Sequence, residues 1–416
     1  MQLAGIPQLR EIDGASSART ARTKARIADA VITVVAEHGL GRLTHRLVAA
    51  AAGVSLAATT YHYATKADMV ADASSQLLDS YVTSFRVAAA RHRAGDKVAP
   101  DMAALATKQV TNAAGRHKRT SLAWAEIILD AARSSEGHAF AREWFDDMAQ
   151  VWCDLADAMG IEDSRRFATV YIDTVIGLLF ITRPLALTPE QVAAVFVDGR
   201  NPAEAWAAPR AALPAKPAVA SRPGRKAQDT RQRILDAAIG LLIARGVGAI
   251  TYKAVAEASG LTTAAPAYHF GSITQLLNAA EAELFQRSKE QYREIRTAIA
   301  ASRSAIDELA DSTAALFVRE ATDLSLSPVA IYSIWLEAAR RPDLRSEVSE
   351  AIFERSAAWT RQMRAINPAT QSRDAMWVQA LYVGMMVRTI STGSPPDIGA
   401  ARSAFRQGFA GDASRL

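Results

Sequence analysis

The sequence predicts an all-α protein built as two tandem units of about 200 residues, and three observations carry that reading. Apolar residues recur at the three- and four-residue spacing of helices, with no convincing alternating strand. Small residues, alanine above all, are common throughout, which favours helix formation and close helix–helix contact. The chain also matches itself without a gap at an offset of 207 residues. Arg26-Ile27 falls on Arg233-Ile234, Gly39 and Gly41 on Gly246 and Gly248, Gly53 on Gly260, and Tyr61-His62 on Tyr268-His269. The register persists to Leu129–Arg133 against Leu336–Arg340, Trp152 against Trp359, and Gly177 against Gly384.

Each element follows in order. Ile27, Val31, Val34 and Val35 mark the buried face of a first helix that Gly39 is expected to close as an αL cap. Thr44 is an N-cap for a short second helix to about Ala51, Gly53 makes a tight turn, and Ser55 caps a third helix through Tyr63. Thr65–Asp68 reads as a capping box opening a longer helix, and Ser272–Gln275 reads the same way in the second copy. Two short helices joined by a glycine turn and propped on a preceding helix describe a helix-turn-helix. The expected division is residues 20–68, first helix-turn-helix; 69–200, first helical regulatory domain; 227–275 and 276–416, their counterparts. Between them, 201–226 carries Pro202, Pro209, Pro214, Pro217 and Pro223 and is expected to be an extended linker.

Composition narrows the function. The 416 residues carry a net charge of +5, and the positive charge is concentrated on the two reading heads. Residues 15–66 hold seven Lys/Arg against two Asp/Glu, and residues 222–273 hold seven against three. Such clustering is what phosphate binding requires. Arg19, Arg22, Lys24 and Arg26, then Arg222, Arg225, Lys226, Arg231 and Arg233, read as basic arms able to enter a minor groove. One cysteine, Cys153, excludes an internal disulfide and a multi-cysteine zinc site. The seven histidines show no ligand spacing, and no P-loop or nucleophile elbow is present, so no metal, no cofactor and no enzyme activity are expected. Gly246-x-Gly248 lacks a preceding strand and a third glycine, so it reads as helix capping. No secretory or membrane-spanning stretch stands out, and the expected location is the cytoplasm.

Thr44-His45-Arg46-Leu47-Val48-Ala49, Ala52-Gly53-Val54-Ser55 and Tyr61-His62-Tyr63-Ala64-Thr65-Lys66 resemble the N-terminal signature of the tetracycline-repressor (TetR) family of transcription regulators. So do Thr251–Ala256, Gly260-Leu261-Thr262 and Tyr268–Ile273 in the second copy, while Trp335–Leu344 resembles the family's regulatory domain. The resemblance implies an operator-binding protein whose DNA contacts are Thr44, Arg46, Ser55, Thr59, Thr60, Tyr61, His62 and Lys66. The second copy would use Thr251, Lys253, Thr262, Thr263, Tyr268 and His269. The alanines Ala57, Ala58, Ala264 and Ala265 cannot hydrogen-bond to bases, so the threonines, the arms and DNA shape must supply specificity. The copies depart from the pattern at Thr60 and Ala267, where an aromatic is usual, and at Ile273, where the first copy has Lys66. Pro266 fits only in the first turn of its helix.

The resemblance also implies a pocket for a small hydrophobic or aromatic effector. Trp124, Trp144, Met148, Trp152 and Tyr171 mark it in one copy; Tyr332, Trp335, Trp359, Met363, Trp377 and Tyr382 mark it in the other. Taken singly these are ordinary core residues; as a set they suit an apolar helical cavity. Asp130/Arg133 and Glu337/Arg340 read as structural i,i+3 links. Gly177 and Gly384 would let the late helices of the copies pack closely, so the expected state is an intramolecular pseudo-dimer on double-stranded DNA, a ligand-released repressor; whether chains assemble further is open. Two alternatives stand beside it: an architectural DNA-binding protein with no effector, and a scaffold whose second head no longer binds DNA.

Overall fold

The computed structural model describes residues 8–206, 224–291, 306–323 and 326–410, and among them all regular structure is helical. The first half runs α1 (Gln8–His38), a 3-10 turn (Leu40–Arg42), α2 (His45–Ala52), α3 (Leu56–His62), α4 (Lys66–Arg93), α5 (Met102–Ala114), α6 (Lys118–Ala131), α7 (Ser135–Ala158), α8 (Ser164–Thr182), α9 (Pro189–Phe196) and α10 (Pro202–Ala205). The second half runs α11 (Arg225–Arg245), a 3-10 turn (Val247–Ala249), α12 (Tyr252–Ser259), α13 (Ala264–Phe270), α14 (Ile273–Gln291), α15 (Ile306–Asp323), α16 (Leu326–Arg340), a 3-10 turn (Pro342–Leu344), α17 (Arg345–Ile366), α18 (Ser372–Thr392) and α19 (Ile398–Phe409).

Local chemistry sets the short helices. Thr44 and Thr251 Oγ1 accept from the backbone N–H of Leu47 (3.2 Å) and Ala254 (3.1 Å), satisfying first-turn donors. Gly53 and Gly260 end α2 and α12 at φ 61° and 64°, a left-handed conformation that glycine adopts without a Cβ penalty. Ser55 accepts from Ala58 N at 3.1 Å, and the Thr65–Asp68 capping box closes in both directions. At Ser272 only half of the expected box forms. Its hydroxyl accepts from Gln275 N, while its own N–H donates to Phe270 O at 2.7 Å and leaves no donor for Gln275.

Two expectations are corrected. Gly39 is not an αL cap: at φ 79° and ψ 155° its extended ψ feeds the chain directly into the 3-10 turn, as does Gly246 at φ 73° and ψ −177°. The linker also starts later than expected. Pro202 opens the turn α10, and Trp206 is buried, its Nε1 donating to Gln191 O at 2.6 Å with its ring 5.6 Å from Phe196. At the other end Arg225 and Lys226 already belong to α11. Pro209, Pro214, Pro217 and Pro223 lie outside the described residues.

The seam between the halves is reciprocal. A Cβ on Gly177 (α8) would fall on the Ala380 carbonyl, and one on Gly384 (α18) would fall on the Asp173 carbonyl. Each of these residues is 207 positions from its counterpart. A Cβ on Gly41 would likewise lie 3.3 Å from the Cα of Gly248. Arg133 caps the end of α11, donating to Ile243 O (3.0 Å) and Leu242 O (3.2 Å), a favourable place for a cation. Arg340 reaches back to Glu126 on α6 and lies under Gly39. The i,i+3 pairs Asp130–Arg133 and Glu337–Arg340 form as expected and extend across this seam.

Candidate nucleic-acid interface and effector cavity

In the first head, α1 supplies the platform. Ile27, Val31, Val35, Val48 and Tyr63 form a core of their own, leaving one face of α2 and α3 outside. On that face Arg46, Ser55, Thr60 and Lys66 are exposed and Tyr61 is 84% exposed, with its ring edge-on to His62 at 5.1 Å. The hydroxyls of Thr44 and Ser55 are engaged in capping, so they fix the geometry of the helix starts. In the second head Tyr268 is 85% exposed, Thr251, Thr262 and Thr263 are exposed, and Lys253 stands 3.9 Å from Glu257. His269 is half-buried beside Tyr268.

The structure removes one residue from the expected contact set. Thr59 has no exposed surface, and its Oγ1 donates to Leu56 O at 2.8 Å; it faces the core of the head. Its counterpart 207 residues on is Pro266, also buried and in the first turn of α13, which explains how proline is tolerated there. The basic arms are corrected as well. They are parts of α1 and α11, and several of their side chains serve the fold: Arg26 donates to Ala52 O (2.7 Å), and Arg233 donates to Ser259 O (2.7 Å). Lys24 lies 5.5 Å from the Tyr63 ring and Arg231 3.9 Å from the Phe270 ring. Arg19, Arg22, Arg225 and Lys226 stay exposed, and Arg222 lies outside the described residues.

Tyr63 donates to Asp72, and burial together with that carboxylate pushes the phenol well above its usual range. The second head has Phe270 and Ala279 at these positions, so the polar pair is lost at both ends at once. At the start of α14, Ile273 packs against the core while Thr274 bonds Asp343 and Arg341. The position of Lys66 is thus taken by a packing residue beside a carboxylate.

Behind the first head, α4 to α8 enclose a cavity of about 380 Å³, within the range of small-molecule sites. Trp124, Trp144, Met148 and Trp152 line it. The Trp124 and Trp144 rings stand 6.0 Å apart, and Trp152 Nε1 donates to Tyr81 Oη at 2.6 Å. Tyr171 does not line it. With Trp377 it borders a crevice of only about 10 Å³ at the seam, because Gly177 and Gly384 draw α8 and α18 together. In the second half, Tyr332 lies 5.6 Å from Phe180 across the seam. Trp335 Nε1 donates to the buried Glu281 at 2.7 Å, and Trp359 and Tyr382 join Phe405 and Phe409 in an aromatic cluster. Met363 is buried. These six are placed by packing and by the seam.

Two family models match. Residues 234–280 match the bacterial regulatory proteins of the tetR family, and residues 304–411 match the tetracyclin repressor-like C-terminal domain. Both matches fall in the second half of the chain, which thus carries the two domains of the tetR family in their usual order. It is similar to the solved multidrug binding protein EbrR complexed with imidazole, at 23% identity over 46% of this chain and 96% of that one, TM-score 0.38. A TetR-family member from Streptomyces coelicolor A3 is similar at 23% identity over 43% of this chain and 98% of that one, TM-score 0.36. No curated protein matches the chain. Among the described residues, no helix is long and apolar enough to cross a membrane.

Sequence reasoning missed part of the first-half cavity. Tyr81 and Phe85 of α4 line it, stacked at 4.6 Å, and so do Lys108 and Arg116. The i,i+4 spacing of Leu77, Tyr81 and Phe85 was the available signal for the aromatic part.

Proposed function

We propose that this TetR-family regulator binds a two-half-site operator as a single chain, a covalent pseudo-dimer, and is released by a hydrophobic effector bound in the cavity between α4 and α8. The observation that carries this reading is the reciprocal seam, in which Gly177 and Gly384 each seat the backbone of the other half. That seam fixes two exposed reading heads relative to each other within one chain. Arg46 and Tyr61 with Lys66, and Lys253 with Tyr268, are the contacts proposed to hold the duplex, Arg46 on a base edge and the tyrosines on phosphate. The second half-site is held more loosely, because Ile273 replaces a phosphate-facing lysine and Lys253 shares its charge with Glu257.

The heads would have to meet successive major grooves about 34–36 Å apart. An effector in the cavity braces α4, the helix that leads out of the first head, and so favours a different spacing. The test is the mass of the complex on a minimal operator mapped by genome-wide footprinting. One chain per two half-sites is expected; two chains would overturn the pseudo-dimer while leaving DNA binding intact.

A further inference from the structure

Building on the reading of the first-half cavity as the effector site, we propose that its ligand is an amphiphilic acid, an apolar body with an anionic head. Among the described residues, the wall of the cavity contains no aspartate or glutamate, yet Arg91, Lys108 and Arg116 all stand in it. Arg91 is neutralised by Asp96 (Nε–Oδ2 2.7 Å). Among the described residues, Lys108 donates to the Val98 carbonyl at 3.1 Å and to no carboxylate, and Arg116 likewise pairs with no carboxylate. Two cations of the wall therefore have no counter-charge among the described residues.

A third lies behind the wall. Arg183 is 2% exposed and donates to Ala113 O at 2.9 Å and Leu187 O at 3.4 Å; among the described residues no carboxylate pairs with it. Burial pulls its guanidinium down to about 10, which leaves it charged at neutral pH. His117, also in the wall, is pulled down by burial and by the neighbouring Arg116, and so brings no negative charge to the site. A buried, unpaired cation in a low-dielectric wall favours an anion nearby.

The deep end has a second requirement. Trp124 and Trp144 are nine-tenths buried and line the cavity, and their Nε1 atoms have no acceptor among the described residues. Buried donors are ordinarily paired, so a ligand with an acceptor on its body would complete them. The aromatic faces alone would also attract a cation. The charges in the wall oppose that choice.

Calorimetric titration of the full chain with three ten-carbon probes below their micelle concentrations decides the matter: decanoate, 1-decanol and decyltrimethylammonium. Decanoate should bind about tenfold or more tighter than decyltrimethylammonium, with decanol between, the size of effect one screened opposite charge gives. In the Lys108→Gln/Arg116→Gln variant, decanol should bind unchanged, which also reports that the fold is intact, and most of decanoate's advantage should vanish. If decanol binds but the ammonium probe matches or beats decanoate, the acid class is wrong and the cavity remains an apolar site. Decanoate binding untouched by the charge variant overturns the assignment equally. If none of the three binds, the effector reading of the cavity falls with it.

Discussion

Arg388→Ile tests the seam most directly. Asp173 is 2% exposed on α8 and accepts from Arg388 Nε and a terminal nitrogen, both at 2.8 Å, while the Arg388 side chain is 32% exposed. The carboxylate beside it also holds the Arg388 guanidinium above its usual range. Removing one partner of a buried pair costs about 3–5 kcal/mol, mostly from the charge left behind. Water reaches one end of this pair, so about 2–3 kcal/mol is expected for Arg388→Ile. The chain supplies its own control: 207 residues away the equivalent positions are Ala380 and Ile181, a wholly apolar combination. Asp173→Ala with Arg388→Ile copies that arm and should return to within about 1 kcal/mol of the parent, since apolar replacement of both partners is near neutral. Urea unfolding followed by tryptophan fluorescence gives the comparison as a double-mutant cycle. The reasoning is refuted if the single variant loses less than about 0.5 kcal/mol, or if the double variant is no better than the single one.

Three further outcomes follow from the same structure. Gly177→Ala places a methyl on the Ala380 carbonyl and should destabilise by about 1–3 kcal/mol, against almost nothing for Gly240→Ala, which has open space around it; thermal melting of the two variants separates them. Arg46→Ala should cost about 1–3 kcal/mol on operator and relax specificity at one base pair, while Tyr61→Phe should weaken operator and random DNA alike; equal losses for Arg46→Ala on both would reject its base-reading role. Burial holds the Glu281 carboxyl above its usual range despite Arg355 and the Trp335 N–H, with Glu347 adding to the rise. Its contribution is therefore full below the unfolded value and lost as pH rises through the folded one, so Glu281→Gln should melt higher than the parent near about pH 8, with the gap closing toward about pH 4.

Much of the fold could be read from the residues because it rests on local rules. Thr44, Thr251, Ser55 and Gly53 act within three or four positions of themselves, and caps of that kind are visible in a sequence. Gly177 and Gly384 were legible for a different reason: a glycine repeated at one offset on two apolar helices has few uses other than close approach. What escaped depends on which way a side chain turns. Thr59 and Thr60 are neighbours on a seven-residue helix, and only the way α3 packs on the rest of the head decides that the first is buried and the second exposed. The arms misled because a run of Lys and Arg looks the same whether it meets phosphate or, like Arg26 and Arg233, ties the end of the next helix by its carbonyl oxygens. In the second half a list of aromatic residues could not distinguish a cavity wall from a seam. Tyr332 and Trp377 belong to the seam, where each meets a phenylalanine of the first half.

The residues that differ between the arms of the seam bear on why two units would be fused. A homodimer uses every seam residue twice, so an interface of that kind must be self-complementary. This seam is not. Asp173 faces Arg388 once, and pairing two first halves would set each buried Asp173 against Ile181 with no cation in reach. Glu126 likewise meets Arg340 once, and its counterpart is Ser333, which instead accepts from Arg133 at 3.2 Å. Each mismatch penalises the wrong pairing more than it stabilises the right one, which is how specificity is set by repulsive alternatives. On the proposed reading, fusion holds the partner at a high effective concentration whatever the abundance of the chain. It also frees the two heads to diverge, so that Ile273 and Pro266 can persist in one without appearing in the other. The double variant Asp173→Ala/Arg388→Ile removes the strongest of these mismatches. If the asymmetry enforces pairing within the chain, that variant should fold stably yet form concentration-dependent, exchanged dimers on refolding, visible by light scattering. A strictly monomeric product would mean that the linker alone selects the partner.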